Sequence, residues 1–427
     1  MKVKIIGAGL AGCEAAYQLA EKGFEVTLFE QKPVKRHPAF KTDQFAELIC
    51  SNSLRSDRRE NAVGLLKEEC RELNSLIMKS ADKHRLPAGS SLAVDREGFS
   101  EEITKTILEH PRITVVREEV TTIDLNEPTI LCAGPLCEGA LAEELRKLTG
   151  EDSLYFYDAV APIVTRDSVD FSKAYYKSRY DEGDGDYINC PMNRDEFFDF
   201  YQALMHAEKT KVRDMDKEIY FEGCMPVEAM AERGIKTLLY GPLKPVGLEK
   251  DGRRPYAVVQ LRKDNAIDTL YNLVGFQTHL TYKSQKEVFS MIPGLEHAEF
   301  VRYGVMHRNS YINSPKHLNA HYQFKNYPNL FIAGQISGVE GYVESMASGL
   351  YAALSMTQYL EKGTVKELGR DTVIGSMAIY VSNPTISKLV PMNANFGIME
   401  TGELFKKDKS AFADADLQKV REYRDSL

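Results

Sequence analysis

A glycine-rich turn near the amino terminus constrains the fold of this chain more than any other feature of its sequence. Four apolar or basic residues at positions 3–6 precede the sequence GAGLAG at positions 7–12. A helix-like spacing of small and apolar residues that includes Ala15 and Leu19 comes next, and EVTLFE at positions 25–30 is again largely apolar. Short apolar runs next to glycine are typical of buried parallel strands. The sequence therefore predicts a strand, a tight turn, a helix and a second strand, the first βαβ unit of a doubly wound α/β sheet.

The three glycines of this turn match the G-x-G-x-x-G pattern in its required context, after a strand and before a helix. In that pattern the first glycine permits the tight turn, the second lets a pyrophosphate approach the backbone, and the third lets the helix pack close to the strand. A carboxylate about 20 residues further on, at the end of the second strand, accepts the ribose hydroxyls. We therefore predict a dinucleotide site formed by Gly7, Ala8, Gly9, Leu10, Ala11, Gly12 and Glu30.

A second strand–glycine–helix pattern near the carboxyl end indicates which dinucleotide to expect. Positions 329–334 (NLFIAG) predict a strand, and positions 341–360 predict a long helix. Flavoproteins of the glutathione-reductase type close their FAD site with such a segment, because a helix amino terminus near the flavin stabilises negative charge on the reduced ring. Gln335 stands where many of those proteins have an aspartate. We predict bound FAD, contacted here by Gly334, Gln335, Gly341 and Tyr342.

The middle of the chain has a different pattern. Three turn-separated segments at positions 237–247, 255–262 and 269–280 are rich in strand-forming residues and show no helices between them, so we expect an antiparallel layer. The predicted architecture is α/β: a doubly wound, glutathione-reductase-like (Rossmann) FAD-binding domain with an inserted α+β domain. Its predicted bounds are residues 1–154 and 326–427 for the discontinuous FAD-binding domain and 155–325 for the insertion.

Composition argues against several classes of protein. The formal net charge of −8 does not suggest nucleic-acid binding by the chain as a whole, although a local basic patch can still hold phosphates. Seven scattered cysteines without a C-x-x-C pair argue against a disulfide framework and a metal site, and for a reducing, cytoplasmic location. The longest apolar runs fall far short of the roughly 20 residues that a membrane-spanning helix needs.

A series of motifs along nearly the whole chain is more specific. In order they are FAELICSNSLRS, NAVGLLKEE, LPAGSSLAVDR, YFYDAVAPIV, KSRYD, NCPM, FEGCMPVE, RPYAVVQLR, VGFQTHL, IPGLEHAEFVRYGVMHRN and GQISGVEGYVES. This series closely resembles the folate- and FAD-dependent tRNA (uracil-5-)-methyltransferases, the TrmFO family. The chain departs from the family at Cys132 and Cys137, where threonine or serine is expected.

The resemblance implies methylation at C5 of uridine 54 in the T-loop of tRNA, which forms 5-methyluridine. In that family 5,10-methylenetetrahydrofolate supplies the carbon, reduced FAD supplies the hydride, and NADH or NADPH reduces the flavin again. The partners are then tRNA, a folate and a nicotinamide nucleotide, with no DNA and no membrane.

Three alternatives stay open at this point. The first is the same chemistry on a ribosomal RNA uridine. The second is a flavin-dependent oxidoreductase without an RNA substrate, for which Cys132 and Cys137 have the C-x-x-x-x-C spacing but follow a strand rather than lying on a helix. The third is a folate-binding module without transfer, in which Cys224→Ala would leave all activity intact.

Two cysteines carry the chemistry that the resemblance implies. C5 of uracil is a poor nucleophile until a thiolate adds at C6, and a proton must later leave C5 before the thiolate is expelled. By motif, Cys224 is the favoured nucleophile, and Cys50 is the second family cysteine, an acid or base or a shield for the flavin. A nucleophilic role needs a lowered thiol pKa, which the sequence alone does not show.

The remaining predicted site residues are polar groups near these motifs. The folate or substrate candidates are His307, whose ring could stack on the pterin, and His279, Arg308 and Glu344, with Glu340 as a further folate or proton-transfer group. A rim that steers phosphates requires basic residues beside the cysteines. The RNA-binding candidates are Arg55, Arg58, Arg59, Lys244, Arg253, Arg254 and Arg302.

Overall fold

The computed structural model describes residues 1–151, 154–179, 185–210, 219–220 and 225–427. The strands are β1 Lys2–Ile6, β2 Glu25–Glu30, β3 Ser53–Ser56, β4 Arg85–Leu86, β5 Ser91–Val94, β6 Ile113–Arg117, β7 Thr129–Leu131, β8 Leu154–Ala159, β9 Ile163–Thr165, β10 Tyr175–Tyr176, β11 Tyr187–Met192, β12 Ala257–Lys263, β13 Leu270–Leu273, β14 Phe300–Arg302, β15 Met306–Tyr311, β16 Gln323–Phe324 and β17 Tyr327–Ile332. The helices are α1 Leu10–Glu21, α2 Ala62–Glu72, α3 Leu76–Lys83, α4 Arg96–Glu109, α5 Ala140–Thr149, α6 Arg194–His206, α7 Val227–Glu232, α8 Ile235–Tyr240, α9 Tyr282–Phe289, α10 Ser314–His317, α11 Tyr342–Lys362, α12 Val373–Ser382, α13 Gly402–Lys407 and α14 Lys409–Asp425.

The first sheet draws its strands from both halves of the chain. Its order is β16-β17-β7-β1-β2-β6, and β17, β7, β1, β2 and β6 run parallel to their neighbours, whereas β16 is antiparallel to β17. The order reverses at β1, which pairs with β2 on one side and with β7 on the other. Ligands of doubly wound sheets bind beyond the carboxyl ends of the strands at such a reversal. The predicted fold class is confirmed, as are the predicted strand at 329–334 and the long helix after it.

Two helices of this first layer approach each other closely. Helices α1 and α11 pack together beside the sheet, and a Cβ atom at Gly349 would lie 2.2 Å from the carbonyl oxygen of Ala11. Because that distance is far below van der Waals contact, only glycine fits at this crossing. The crossing places the amino-terminal ends of α1 and α11 near the same edge of the sheet.

The second sheet has the order β10-β11-β12-β13-β9-β14, with antiparallel pairing throughout. Its apolar face packs on helices, and the fully buried rings include Phe197, Phe200 and Phe276. The antiparallel layer is therefore as predicted, but the prediction of strand structure at 237–247 was wrong. That segment begins within helix α8 and continues as turns. The spacing of Ile235, Leu238 and Leu239 is helical, which the strand-like composition obscured.

Strands β8 and β15 form a separate antiparallel pair through which the chain passes between the two sheets. β8 follows the first sheet's β7 and precedes β9, and β15 follows the second sheet's β14 and precedes β16. Asp158 of β8 lies opposite His307 of β15.

The predicted domain bounds near residues 155 and 325 stay a prediction. Among the described residues, no helix combines the length and the apolar composition that crossing a bilayer requires.

Two buried carboxyl groups, Glu69 of α2 and Asp416 of α14, lie next to each other where the carboxyl-terminal helix α14 packs on the first layer. Glu69 of α2 accepts hydrogen bonds from the backbone amides of Val373 and Ile374, at 2.5 and 2.8 Å, where α12 begins. Asp416 of α14 is 1% exposed, and burial together with the neighbouring Glu69 raises the pKa of Asp416 well above its ordinary value. Asp416 is therefore protonated at neutral pH in the folded chain.

Replacing Asp416 with asparagine tests this arrangement. The unfolded chain releases the proton of Asp416 above about pH 4, whereas the folded chain keeps it, so the wild type loses stability as the pH rises. We expect Asp416→Asn to raise the melting temperature by about 3 °C at pH 8.5 and by less at pH 5.5. Asp414→Asn, on the same helix but exposed, is the control. Equal pH slopes for the wild type and Asp416→Asn would contradict the assignment.

Candidate active site

The glycine turn between β1 and α1 forms one wall of a cleft of about 1190 Å³, including its part open to solvent. Glu30, Cys132, Gly334 and Tyr342 also line this cleft, which we call the first cleft. Helix α1 begins at Leu10 without a side-chain cap, so its first amide groups point toward the cleft unpaired by any cap. An uncapped helix amino terminus is a binding site for an anion such as a pyrophosphate.

The predicted glycine roles can be tested by adding a Cβ atom to each position. At Gly7 (φ +101°) the Cβ would lie 2.4 Å from the carbonyl oxygen of Cys132, and at Gly12 it would lie 1.8 Å from that of Gly7. At Gly9 it would meet nothing within 4 Å, because that side faces the open cleft. Glu30 accepts hydrogen bonds from the amides of Ala8 at 3.0 Å and Lys32 at 2.9 Å, which fixes its carboxylate at the cleft. These residues fit the diphosphate and ribose of FAD.

The late strand–glycine–helix segment closes the other end of the first cleft. Gly334 (φ +81°) and Gly341 (φ +115°) both have left-handed backbones that favour glycine. Helix α11 begins at Tyr342 without a side-chain cap. Gln335 donates a hydrogen bond from Nε2 to Glu340 at 2.8 Å. The segment therefore presents a second uncapped helix amino terminus, which suits negative charge on a reduced flavin.

A second cleft, of about 1240 Å³, adjoins the first and is lined by both apolar and polar residues of the two layers. The two clefts share Ile49, Pro135, Gln335 and Tyr342. The second cleft adds Cys50, Ser51, Arg55, Asp158, Arg262, Asn272, His307, Asn309, Glu340 and Asn393. A group bound in the first cleft at Tyr342 therefore borders whatever the second cleft holds.

Cys50 lies where the two clefts meet, in contact with Tyr342. The Tyr342 hydroxyl oxygen accepts hydrogen bonds from the Cys50 amide at 2.8 Å and the Ser51 amide at 3.3 Å, and lies 3.0 Å from the Cys50 Sγ. Burial, and after it the charge of Asp158, raises the pKa of the Cys50 thiol to about 11, although the Tyr342 hydrogen bond and Arg96 act in the opposite direction. Cys50 is thus a thiol at neutral pH, suited to donating a proton rather than to attack.

Buried arginines hold the loop that carries Cys50. Arg262 of β12 donates from Nε to the Asn52 Oδ1 at 3.0 Å and from Nη2 to the Ser51 Oγ at 2.7 Å. Arg96 pairs with Asp264, with Nε 2.9 Å from Oδ2, and also donates to the carbonyl of Leu48. These contacts join the second sheet to the cysteine loop, so the position of Cys50 depends on both layers.

Two buried carboxylates flank Tyr342. Glu340 is 4% exposed, and burial, followed by the charge of Asp158, raises the pKa of Glu340 to about 8. Glu344 is fully buried, pairs with Arg55 and accepts a hydrogen bond from the Ala394 amide at 2.8 Å. Glu340 lines the second cleft, whereas Glu344 supports Arg55, which does line it. Glu340 can therefore change its protonation state close to physiological pH.

The predicted folate candidates occupy different places. His307 lines the second cleft, with Nε2 3.5 Å from the Asp158 Oδ2. Arg308, the next residue on β15, points to the other face and lies over the ring of Tyr155, 4.1 Å from its centroid. His279 is 1% exposed, and its Nδ1 lies 3.2 Å from the Tyr220 hydroxyl. Of the three, the structure brings only His307 to the second cleft.

The proposed nucleophile Cys224 lies outside the described residues, so its role stays a prediction. Cys132 and Cys137 both line the first cleft as free thiols. Burial raises the pKa of Cys132, and burial raises the pKa of Cys137 to about 12. Such thiols are poor nucleophiles at neutral pH, which disfavours a redox role for this pair.

The predicted RNA-binding residues lie on several different elements. Arg55 lines the second cleft, and Arg59 pairs with Asp414 of α14 at 2.6 Å. Arg302 is partly buried on β14, where burial and the nearby Arg96 lower its pKa. Arg58, Arg253 and Arg254 are exposed, and Lys244 is half-buried. These residues lie on separate elements of the fold, and their RNA contacts stay a prediction.

Sequence reasoning missed several polar groups of the second cleft. Asp158, Asn272 and Asn309 are at most 5% exposed and line that cleft, and Arg96 and Arg262 hold the cysteine loop. A signal existed for Asp158, since the strand YFYDAV contains one charged residue in an otherwise apolar and aromatic run. The asparagines gave no such signal, because their significance depends on which strands pair.

Comparison with known proteins identifies the relatives of this chain. A family model described as glucose inhibited division protein A (GIDA) matches residues 2–364. The crystal structure of Aquifex aeolicus GidA in its form II crystal aligns with a TM-score of 0.74 at 15% identity, over 99% of this chain and 73% of that one. The form I crystal of the same protein aligns with a TM-score of 0.70. At such identities these structures support the fold.

Sequence relatives are much closer. A protein of Anoxybacillus flavithermus named methylenetetrahydrofolate–tRNA-(uracil-5-)-methyltransferase TrmFO is 55% identical over the full length of both chains. A protein of the same name from Staphylococcus epidermidis is 56% identical over 100% of this chain and 98% of its own. The chain therefore belongs to the glucose inhibited division protein A family and, within it, to the TrmFO proteins.

Proposed function

We propose that this protein methylates C5 of a uridine in tRNA, at position 54 of the T-loop, with methylenetetrahydrofolate as carbon donor and FAD as bound cofactor. The observation that carries the proposal is the junction of the two clefts at Tyr342 and Cys50. There the cleft that contains the glycine turn borders a second cleft that Cys50 lines. The relatives are named for the methylenetetrahydrofolate-dependent methylation of uracil C5 in tRNA.

The first cleft supplies binding and orientation. The uncapped amino terminus of α1 and the open face of Gly9 receive the diphosphate, and Glu30 accepts the ribose hydroxyls. When bound, reduced FAD supplies the hydride that converts a methylene into a methyl group. The uncapped start of α11 at Tyr342 stabilises negative charge at that end of the cleft. NADH or NADPH is the proposed source of electrons.

The two cysteines divide the work on the uracil ring. Cys224 adds to C6 as a thiolate and so makes C5 nucleophilic, a role assigned by its family motif. Cys50, whose pKa of about 11 keeps it protonated, holds or donates a proton at the junction of the clefts. The flipped uridine enters the second cleft, as enzymes that modify a base require.

Glu340 is the proposed acceptor of the proton that leaves C5. Its carboxyl group lies in the second cleft and is held by the Gln335 amide at 2.8 Å. A pKa of about 8 matches a base that works near neutral pH. Burial, followed by the charge of Asp158, raises that pKa and so makes the carboxylate basic enough to take the proton.

The central experiment follows the labelled carbon into RNA. The FAD-bound protein is incubated with NADH, labelled methylenetetrahydrofolate and unmodified tRNA, and the digested RNA is analysed for 5-methyluridine. We expect label in that nucleoside at position 54, and Cys224→Ala should lower the rate by at least about a hundredfold because C5 is then not activated. Ribosomal RNA is assayed in parallel.

Cys50→Ala and Cys190→Ala complete this set. Cys190 is a free, fully buried cysteine of β11 and serves as the matched control. We expect Cys50→Ala to lose methylation but to keep the covalent adduct with 5-fluorouridine RNA, which Cys224→Ala loses. Absence of labelled 5-methyluridine from tRNA with FAD bound and reduced would overturn the proposed function, and label in ribosomal RNA alone would redirect it.

The pH dependence of the reaction tests Glu340. Since a base must be ionised to accept a proton, and the pKa of Glu340 is about 8, the methylation rate should rise with pH and level off above about pH 8. Glu340→Gln should lower the plateau about a hundredfold and remove this rising limb. Glu14→Gln is the control, since Glu14 is fully buried in α1 and lines neither cleft. A rising limb that survives in Glu340→Gln would assign the proton acceptor to another group.

The Tyr342 hydroxyl gives a further pH test. Its hydrogen bond lowers the pKa of Cys50, so Tyr342→Phe should raise that pKa above about 11 and slow alkylation of Cys50 at a given pH. The measurement is alkylation by iodoacetamide between pH 8 and 11, followed peptide by peptide by mass spectrometry. Tyr327→Phe, on β17, is the control. Faster alkylation of Cys50 in Tyr342→Phe would show that the tyrosine shields the thiol instead.

A further inference from the structure

Arg55 has a backbone conformation that arginine rarely adopts. Its φ is +62°, in the left-handed region, and the pairing of β3 with β5 is irregular between Ser53 and Ser56. The Arg55 amide donates a hydrogen bond to the Ser53 Oγ at 3.1 Å within this irregular stretch. Irregularities of this kind in a strand often redirect a side chain next to a functional site. Here the side chain concerned lines the second cleft.

A buried carboxylate fixes the guanidinium of Arg55 in place. The Arg55 Nη2 pairs with the Oε1 of Glu344, a fully buried residue in the first turn of α11. A Cβ atom at Gly341, just before that helix, would lie 3.1 Å from the same Nη2, so the guanidinium lies close to the start of α11. Glu344 in turn accepts a hydrogen bond from the Ala394 amide at 2.8 Å. An arginine anchored in this way loses little side-chain freedom when it binds a ligand.

This anchor leaves other donors of Arg55 free. The Arg55 Nε and Nη1 have no hydrogen-bond partner in the described part of the chain, and neither is a buried atom. The Arg55 side chain is 40% exposed, whereas that of Glu344 is not exposed at all. A guanidinium presents its N–H donors in a planar fork that matches a carboxylate or a phosphate. The free donors of Arg55 can therefore bind an oxyanion in the second cleft.

A second cation lies close to Arg55. Lys67 of α2 is fully buried, and its Nζ donates to two backbone carbonyls rather than to a carboxylate. Burial lowers the pKa of Lys67 to about 8, the charge of Asp57 opposes this shift, and the charge of Arg55 adds to it. Lys67 is thus still mostly protonated at neutral pH, and Asp57 forms its ion pairs with two other arginines. The positive charge beside Glu344 therefore exceeds the charge of that carboxylate, which favours an anion here.

We propose that Arg55, oriented by Glu344, is the subsite for an oxyanion of a ligand bound in the second cleft. This inference rests on the proposed function and extends it to how a ligand is held away from its reacting atoms. The folate carries such groups as the carboxylates of its glutamate tail, and the RNA carries them as the phosphates beside the target uridine. Both sources offer one chemistry, an oxyanion that accepts hydrogen bonds from a guanidinium.

The experiment uses the FAD-bound protein and its Arg55→Gln variant, without a methylene donor. Calorimetry measures Kd for tetrahydrofolate and for 6-methyltetrahydropterin, which has the reduced pterin ring but no glutamate tail. Fluorescence anisotropy measures Kd for a T-loop hairpin RNA at several salt concentrations. Arg112→Gln is the matched control. Arg112 is also an exposed arginine in an ion pair, 3.0 Å from Glu25, but it lies at the amino ends of β2 and β6, away from the clefts.

If the oxyanion is the folate carboxylate, Arg55→Gln raises the Kd of tetrahydrofolate about tenfold and leaves the Kd of 6-methyltetrahydropterin and of the RNA unchanged. If the oxyanion is a phosphate, Arg55→Gln raises the RNA Kd by a similar factor and lowers the slope of log Kd against log salt concentration by about one. In that case the folate Kd is unchanged. A rise for both ligands, with 6-methyltetrahydropterin unaffected, assigns the subsite to both.

Three results would overturn the proposal. They are unaltered Kd values for tetrahydrofolate and RNA in Arg55→Gln, an equal loss of 6-methyltetrahydropterin binding, and the same changes in Arg112→Gln. If Arg55→Gln does not retain FAD, Arg55→Lys takes its place, because it keeps a charge beside Glu344 but lacks the fork, and the same directions are expected with a smaller factor. Failure of the proposed function is seen separately, as a wild type that binds these ligands but transfers no carbon to RNA.

Discussion

The contact between the Tyr342 hydroxyl and the Cys50 loop is the interaction on which the proposed site depends. It links the first residue of α11, in the first layer, to the loop that precedes β3. The same hydroxyl accepts hydrogen bonds from two backbone amides and touches the thiol, so it holds Cys50 in place and partly offsets the rise in the pKa of Cys50 that burial causes. Both clefts are lined by this tyrosine, so the first cleft and the second cleft adjoin at Tyr342.

Around this contact the protein buries several charged side chains. Arg96, Arg262, Asp264, Asp158, Glu340 and Glu344 are all buried or nearly so. Burying a charge costs free energy unless it is paired and hydrogen-bonded. Arg96 pairs with Asp264, and Arg262 donates hydrogen bonds to Ser51 and Asn52. Glu340 lowers the cost in another way, because its raised pKa lets it bind a proton and lose its charge. The apolar cores lie elsewhere, between α1 and α11 and under the second sheet, and they supply the stability that offsets this cost.

Local patterns in the sequence were enough to predict the parts of the fold that depend on neighbouring residues. The βαβ unit at β1, α1 and β2 and the late strand β17 with α11 were predicted because periodicity and glycine placement encode them locally. Helix α8 was mistaken for a strand, since Leu238 and Leu239 suit either structure and packing decides between them. The placement of Asp158 and Asn309 depends on the register between β8 and β15, whose paired residues are more than a hundred positions apart in the chain, and one sequence does not specify that register.

The pairing of β8 with β15 has a consequence for how the chain folds. β7 ends at Leu131 and its parallel neighbour β17 begins at Tyr327, so this central pair of the first sheet closes a very long loop. Once β8 and β15 have paired, they lie side by side. Only the short segments from β7 to β8 and from β15 to β17 then separate the two strands of the central pair. The entropy cost of closure grows with loop length, and non-local pairings slow folding. We therefore expect the β8–β15 pair to form before the β7–β17 pair that completes the nucleotide-binding sheet. A nascent chain would therefore complete its FAD-binding surface late, after β17 and the first turn of α11 have left the ribosome.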